Sequence, residues 1–245
     1  MQARLWQWLG LVVGLLAFGL LWLDQAVHGP VSGADQATYD AVSRWQHAGF
    51  PANALGDWVS EPVSVPVAVA LTVVAVVAWW LLRDRRMAVW AGVGGLVAGA
   101  AIYGLKQSIQ RPLPPRAAGA WYQFSFPSGH TISAVANVGF IVLLSAQVVV
   151  DRRQLSGEAA RRAWAWAITA WAAIAVVMGV ARILSQRHWA SDVYASWGVG
   201  LALCCGMLLV AKVPRPAHLH PKARRQRERK PAPSRTGGKP QGGRS

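Results

Sequence analysis

Charge is what this chain has least of. Only 14% of its 245 residues are Asp, Glu, Lys or Arg, while 53% are hydrophobic. A water-soluble domain carries roughly a quarter charged residues, so a composition this apolar points to a membrane protein. Cysteine is nearly missing too, with two residues side by side at Cys204 and Cys205. Neighbouring side chains diverge around a helix, so the pair reads as packing and says nothing about redox compartment. Strand-like alternation is absent, which leaves helices as the way to satisfy the backbone in lipid. Acids are scarce, 10 against 25 Lys and Arg, and no internal repeat is visible.

What is present is a set of long apolar runs. A helix needs about 20 apolar residues to cross roughly 30 Å of hydrocarbon, and six stretches qualify: about 5–23, 62–82, 87–105, 130–150, 163–181 and 192–212. The fold class expected is therefore an all-α membrane protein with six transmembrane helices. The first stretch follows Arg4 and reads as a retained span, being longer than a signal-peptide core and lacking an A-x-A-like site. Gly95-x-x-x-Gly99 in the third stretch reads as a helix-packing site.

The net charge of +15 suggests nucleic acid until its placement is considered, because eleven of the 25 basic residues lie from Lys212 onward. That segment is rich in Pro, Gly and Ser and poor in apolar residues. Residues 1–212 are thus expected to form the six-helix domain, and 213–245 a disordered basic tail near anionic lipid rather than a nucleic-acid arm. The stretches 83–86 and 151–162 carry seven Arg between them, whereas the loop 24–61 has one Arg and five acids. By the positive-inside tendency both termini are cytoplasmic, and the loops 24–61, 106–129 and 182–191 face outward in a plasma or inner membrane. The loop 24–61, with Trp45 and Trp58, lies on the membrane or covers whatever site exists on that face.

Three polar stretches then share the outer surface: "KQSIQRPLPPR" (106–116), "FPSGHT" (126–131) and "ARILSQRHWASD" (181–192). Ser128 and Gly129 open a helix, where unpaired amides and the positive dipole end attract anions. Lys106, Arg182 and Arg111 or Arg116 add charge-assisted donors, which suits a phosphate. His188 and Asp192 are four residues apart and share a helix face. A carboxylate bonded to one imidazole nitrogen frees the other to attack or accept a proton, and His130 arrives from another helix as a proton donor.

Pro127-Ser128-Gly129-His130, the Arg182-x5-His188-x3-Asp192 spacing and Lys106 with a following Arg-Pro resemble the type 2 phosphatidic acid phosphatase (PAP2) family. These are integral membrane lipid phosphatases that share their site with the water-soluble vanadium haloperoxidases and some acid phosphatases. The resemblance covers residues about 100–212. It implies a PAP2/haloperoxidase-like helical core, with His188 as nucleophile forming a phosphohistidine, Asp192 orienting it and His130 protonating the leaving oxygen. It further implies that Lys106, Arg182, Ser128 and the Gly129 amide hold phosphate oxygens, with no metal and no cofactor. The sequence departs from the family where Leu113 stands in place of the first-motif Arg, and Arg111 is the expected replacement ahead of Arg116. Ala181 also stands where the family often has Ser.

The expected partners are a lipid phosphate and membrane lipids, not nucleic acid, with oligomeric state left open. Candidate substrates are undecaprenyl diphosphate, phosphatidylglycerophosphate, phosphatidate and diacylglycerol pyrophosphate. Alternatives are a phosphotransferase acting on lipid A or another acceptor lipid, an anion transporter, and a divalent-metal site at His130, His188 and Asp192. The transporter reading lacks mid-span ionisable groups to line a path.

Overall fold

The computed structural model describes residues 4–61, 64–120 and 122–211. Every regular element among them is helical: α1 Leu5–Ala26, α2 Val31–His47, α3 Ala52–Ser60, α4 Val65–Leu81, α5 Arg85–Ile109, α6 Gly129–Ile132, α7 Gly139–Arg152, α8 Gly157–Leu184 and α9 Ala190–Val210. A π-helical segment, Ser133–Val138, joins α6 to α7, so Gly129–Arg152 runs as one rod. Six rods are long and apolar enough to cross a membrane, counting α3 and α4 together as Ala52–Leu81. Each overlaps one of the six stretches expected, the second starting ten residues earlier (Ala52 against 62) and the fifth six earlier (Gly157 against 163), while Pro62, Val63, Lys212 and the expected tail 213–245 lie outside the described residues.

Exposure is inverted, as lipid demands. In α1 the polar Gln7 is buried while Leu16 and Leu20 are 61% and 70% exposed, because hydrocarbon solvates leucine and not an amide. The rod Gly129–Arg152 and α9 are the most enclosed, with Phe140, Leu143, Leu144 and Leu208 fully buried. Small residues let backbones approach there: a Cβ on Gly14 would come within 2.5 Å of the Gly198 carbonyl oxygen, so α1 and α9 cross at glycines. The expected pairing surface at Gly95 and Gly99 is half used. Gly95 meets Thr72 of α4, while nothing lies within 4 Å of a Cβ on Gly99.

The π segment widens the helix one turn after His130, and its Val135 carbonyl accepts from Trp171 Nε1 of α8 at 2.9 Å. Asn137 ties the same segment to α4, donating to Thr72 Oγ1 at 2.8 Å and to the Ala68 carbonyl at 3.1 Å. At the opposite end of the bundle, arginines bond helix C-terminal carbonyls, where cations suit the dipole. Arg4 reaches Leu209, Arg86 reaches Ala211 and Arg152 reaches Leu82.

The stretch 24–61 is not a loose loop. It forms α2 and α3, which pack beside the end of α8, the start of α9 and the turn between them, where Arg182, Asp192 and His188 lie. Asn53 of α3 donates to the Leu184 carbonyl at 3.0 Å and to Gln186 Oε1 at 2.9 Å. Gly56 of α3 lies so close to α8 that a Cβ would strike the Ala181 carbonyl and the Ser185 amide. Trp45 and Trp58 point outward, 52% and 76% exposed.

Candidate active site

The end of α8, the start of α9, the start of α6, the last turn of α5 and the polar side of α3 meet at one end of the bundle. Between α8 and α9 the chain turns through Gln186, whose φ of 53° is left-handed. That conformation costs a non-glycine residue about 1–2 kcal/mol. Side-chain bonds hold it: Gln186 Nε2 donates to the Tyr39 carbonyl at 2.9 Å and to Ser43 Oγ at 2.7 Å. The turn sets the position of Arg187 and His188.

His188 is 4% exposed. Its Nδ1 lies 2.9 Å from the Ser125 carbonyl oxygen, and because a carbonyl only accepts, Nδ1 carries the hydrogen and Nε2 keeps a lone pair. Burial, then the charges of Arg182 and Lys106, hold its pKa well below the usual histidine value, with the Ser125 bond acting weakly in the opposite direction. The ring is therefore neutral. The direct bond to Asp192 expected from the i, i+4 spacing is not the one formed, since Asp192 Oδ2 stands 3.5 Å from Nδ1. A neutral ring has a single Nδ1 hydrogen, and Ser125 takes it at shorter range.

Asp192 is fully buried and used elsewhere. Its Oδ2 accepts the Trp189 amide at 2.9 Å, closing the first turn of α9, and its Oδ1 accepts from Arg111 at 2.6 Å. Arg111 also pairs with Asp35 of α2 at 2.7 Å and donates to Ser191 Oγ at 2.7 Å. Its guanidinium is thus held between two carboxylates, with the Trp189 ring 5.3 Å away. Arg116 pairs with Asp57 of α3 at 3.0 Å, and Asp57 also accepts from Arg187 Nε at 2.8 Å. That bond is the main reason the Arg187 pKa is raised.

A cavity of about 330 Å³ opens beside these groups, walled by Asp57, Glu61, Tyr122, His130, Arg182 and Arg187. Arg182 is 3% exposed; its NH1 donates to Ser60 Oγ at 3.1 Å, while its Nε is buried with no hydrogen-bond acceptor among the described residues. An unspent guanidinium donor in a cavity wall suits an oxyanion. Lys106 Nζ donates to the Phe124 carbonyl at 2.6 Å and stands 5.3 Å from the Tyr122 ring centre. The same ring lies parallel to His188, interplanar angle 7° and centroids 5.9 Å apart. Ser128 is buried, its hydroxyl accepting from Thr131 Oγ1 at 3.1 Å, and Gly129 begins α6 beneath it. Among the described residues, no three His, Cys, Asp or Glu side chains cluster as metal ligands would.

The three polar stretches do come together, and residues beyond them join in. Asp35, Asp57 and Ser60 come from α2 and α3, and Tyr122 and Ser125 from the loop before Phe126; Arg187, within the third stretch, joins them. The signal for the acids was present in the sequence: a loop with five acids faces a basic cluster across the same surface. Their pairing depends on the tertiary fold.

Fold and site define the class: a helical multi-pass membrane protein with a cationic, histidine-bearing pocket at one end of the bundle. Residues 87–216 match the family model described as the PAP2 superfamily, and the chain belongs to that family, so that at family level it is a membrane phosphatase. Its fold is similar to that of a solved protein described as the first transmembrane PAP2 type phosphatidylglycerolphosphate phosphatase from Bacillus subtilis. The TM-score is 0.61 at 20% identity, covering 80% of this chain and 93% of that one. No curated protein matches the chain.

Proposed function

We propose that the protein removes a phosphate from the headgroup of a membrane lipid, a phosphomonoester or a diphosphate, through a phosphohistidine at His188. The observation that carries this reading is the state of His188: a buried neutral ring whose Nδ1 hydrogen is committed to the Ser125 carbonyl. That arrangement leaves the Nε2 lone pair as nucleophile. Nε2 attacks phosphorus, the N–P bond forms and the bond to the lipid oxygen breaks, with His130 giving that oxygen a proton. The charge of a bound phosphate favours the protonated form of His130. Water, losing its proton to His130, then attacks phosphorus and the N–P bond breaks, releasing inorganic phosphate.

Arg182, with its unspent Nε, and Lys106 hold the phosphate oxygens as charge builds in the transition state, with Ser128 and the Gly129 amide beside them. Arg111, Arg116 and Arg187 are each paired with a carboxylate, and Arg187 is the one of the three that walls the cavity, which favours it as the added cation. The arginine-rich loops support cytoplasmic termini and a pocket on the outer side. A pocket at the bundle end lets the lipid chains stay in the bilayer while the headgroup reacts. The likeness to the Bacillus subtilis phosphatidylglycerolphosphate phosphatase supports phosphatidylglycerophosphate as one candidate among lipid phosphates.

Substitution His188→Ala in purified protein is expected to lower phosphate release from lipid phosphates by at least 1000-fold, since loss of a nucleophile leaves only binding and electrostatic contributions, while expression is unchanged. Turnover equal to wild type would refute the assignment. Adding an acceptor lipid and analysing the products separates hydrolysis from transfer.

A further inference from the structure

The charge network behind His188 extends to a residue outside the stretch that carries the family resemblance. Asp35 of α2 is 2% exposed. Its Oδ1 accepts the Ser191 amide at 2.8 Å, and its Oδ2 accepts from Ser191 Oγ at 2.5 Å and from Arg111 at 2.7 Å. Arg111 bridges onward to Asp192 at 2.6 Å, and Asp192 lies beside His188. Four side chains from three parts of the chain form one line, buried except for a partly exposed Arg111: Asp35, Arg111, Asp192, His188.

Two physical features give that line a purpose. The first-turn amides of a helix have no partner within it, and here two carboxylates serve the start of α9: Asp192 takes the Trp189 amide and Asp35 the Ser191 amide. The start of α9, from which Asp192 projects two residues after its first amide, is therefore clamped from outside by α2. Second, two buried carboxylates and one guanidinium are tolerable only as a unit, because a buried charge without a partner is costly. Asp35 holds the Arg111 fork on the side away from the Asp192 bond, so that the guanidinium faces a carboxylate at each end.

We infer that Asp35 is a positioning residue for the reaction, acting through Arg111 and the first turn of α9 to fix Asp192 beside His188; this inference rests on the phosphatase reading above. Arg111 serves the same end, and so differs from a substrate ligand. The role is not one the family motifs supply, since Asp35 precedes the matched stretch by about fifty residues.

The test uses the full chain, purified in detergent, with phosphatidate and phosphatidylglycerophosphate in mixed micelles. Asp35→Asn keeps the shape but removes the charge and turns one of the two acceptor oxygens into a donor. Expected are a kcat about tenfold lower, a KM within twofold of wild type, and partial recovery of kcat in Asp35→Glu. In an Asp192→Asn background the same change is expected to cost less than twofold more, because a residue acting through another is non-additive with it. A raised KM at unchanged kcat, an equal loss in both backgrounds, or full activity in Asp35→Asn would each overturn the inference.

A second measurement needs no turnover. Carbethoxylation of His188 by diethylpyrocarbonate, followed by peptide mass spectrometry, is expected to be several-fold faster in Asp35→Asn, with His130 unchanged. Equal rates at His188 overturn the positioning role. A wild-type protein that releases phosphate from neither lipid counts against the phosphatase reading alone, and the carbethoxylation rates then decide on Asp35.

Discussion

His188 shows how one side chain's surroundings set its chemistry. Its pKa is depressed by burial first and by Arg182 and Lys106 next, so the folded protein resists protonating it where the unfolded chain, with an ordinary value near 6.5, does not. Below about pH 6.5 the unfolded state then binds more protons than the folded one, and stability falls as pH falls. Two outcomes follow for measurement. The acid limb of kcat/KM attributable to His188 should lie below pH 6.5 in a pH–rate profile. The loss of thermal stability between pH 7 and pH 5 should also shrink in His188→Gln, which has no proton to gain. At this scale type and spacing indicated that His130, His188, Asp192 and Arg182 would share one surface, and the fold brings them to one end of the bundle. It was silent on which atom bonds which. The i, i+4 rule brings Asp192 to within 3.5 Å of His188, but the competing Ser125 carbonyl belongs to a segment sixty residues earlier, and only folding brings it there.

Elements were legible in proportion to their length and hydropathy. The apolar runs emerge as helices because lipid allows little else; α2 and α3 carry no apolar run long enough to span, and their stability comes from packing onto α8 and α9. The loop's five acids hinted at its role, but a pairing such as Asp57 with both Arg116 and Arg187 is set by where α3 docks. The crossing of α1 and α9 at Gly14 and Gly198 has no room for a side chain. Gly14→Val is expected to destabilise the detergent-solubilised protein by about 1–3 kcal/mol, the usual cost of overpacking a tight interface, seen as a lower unfolding temperature. Gly99→Val, at a position with open space around it, serves as the comparison and should change little.

For the whole molecule, the proposed orientation rests on where arginine falls, and it can be tested directly. The native cysteines, Cys204 and Cys205, are buried, so background labelling by a membrane-impermeant maleimide should be low. A cysteine introduced at Gln36, on exposed α2, should label in intact cells, whereas one at Ser156, between α7 and α8, should label only after lysis. The reverse pattern would turn the pocket to the cytoplasmic side.

The segment that forms α2 and α3 also bears on what counts as the smallest working unit. Ser60 is bonded to Arg182, Asp57 to Arg187 and Arg116, Asp35 to Arg111, and Asn53 to the turn before His188. A polypeptide trimmed to the part bearing the recognisable signature would retain every motif residue yet strip Arg116, Arg182 and Arg187 of these partners and leave Arg111 with one carboxylate, Asp192. Exchanging such segments between relatives should therefore succeed only when the matching basic residues are transplanted along with them.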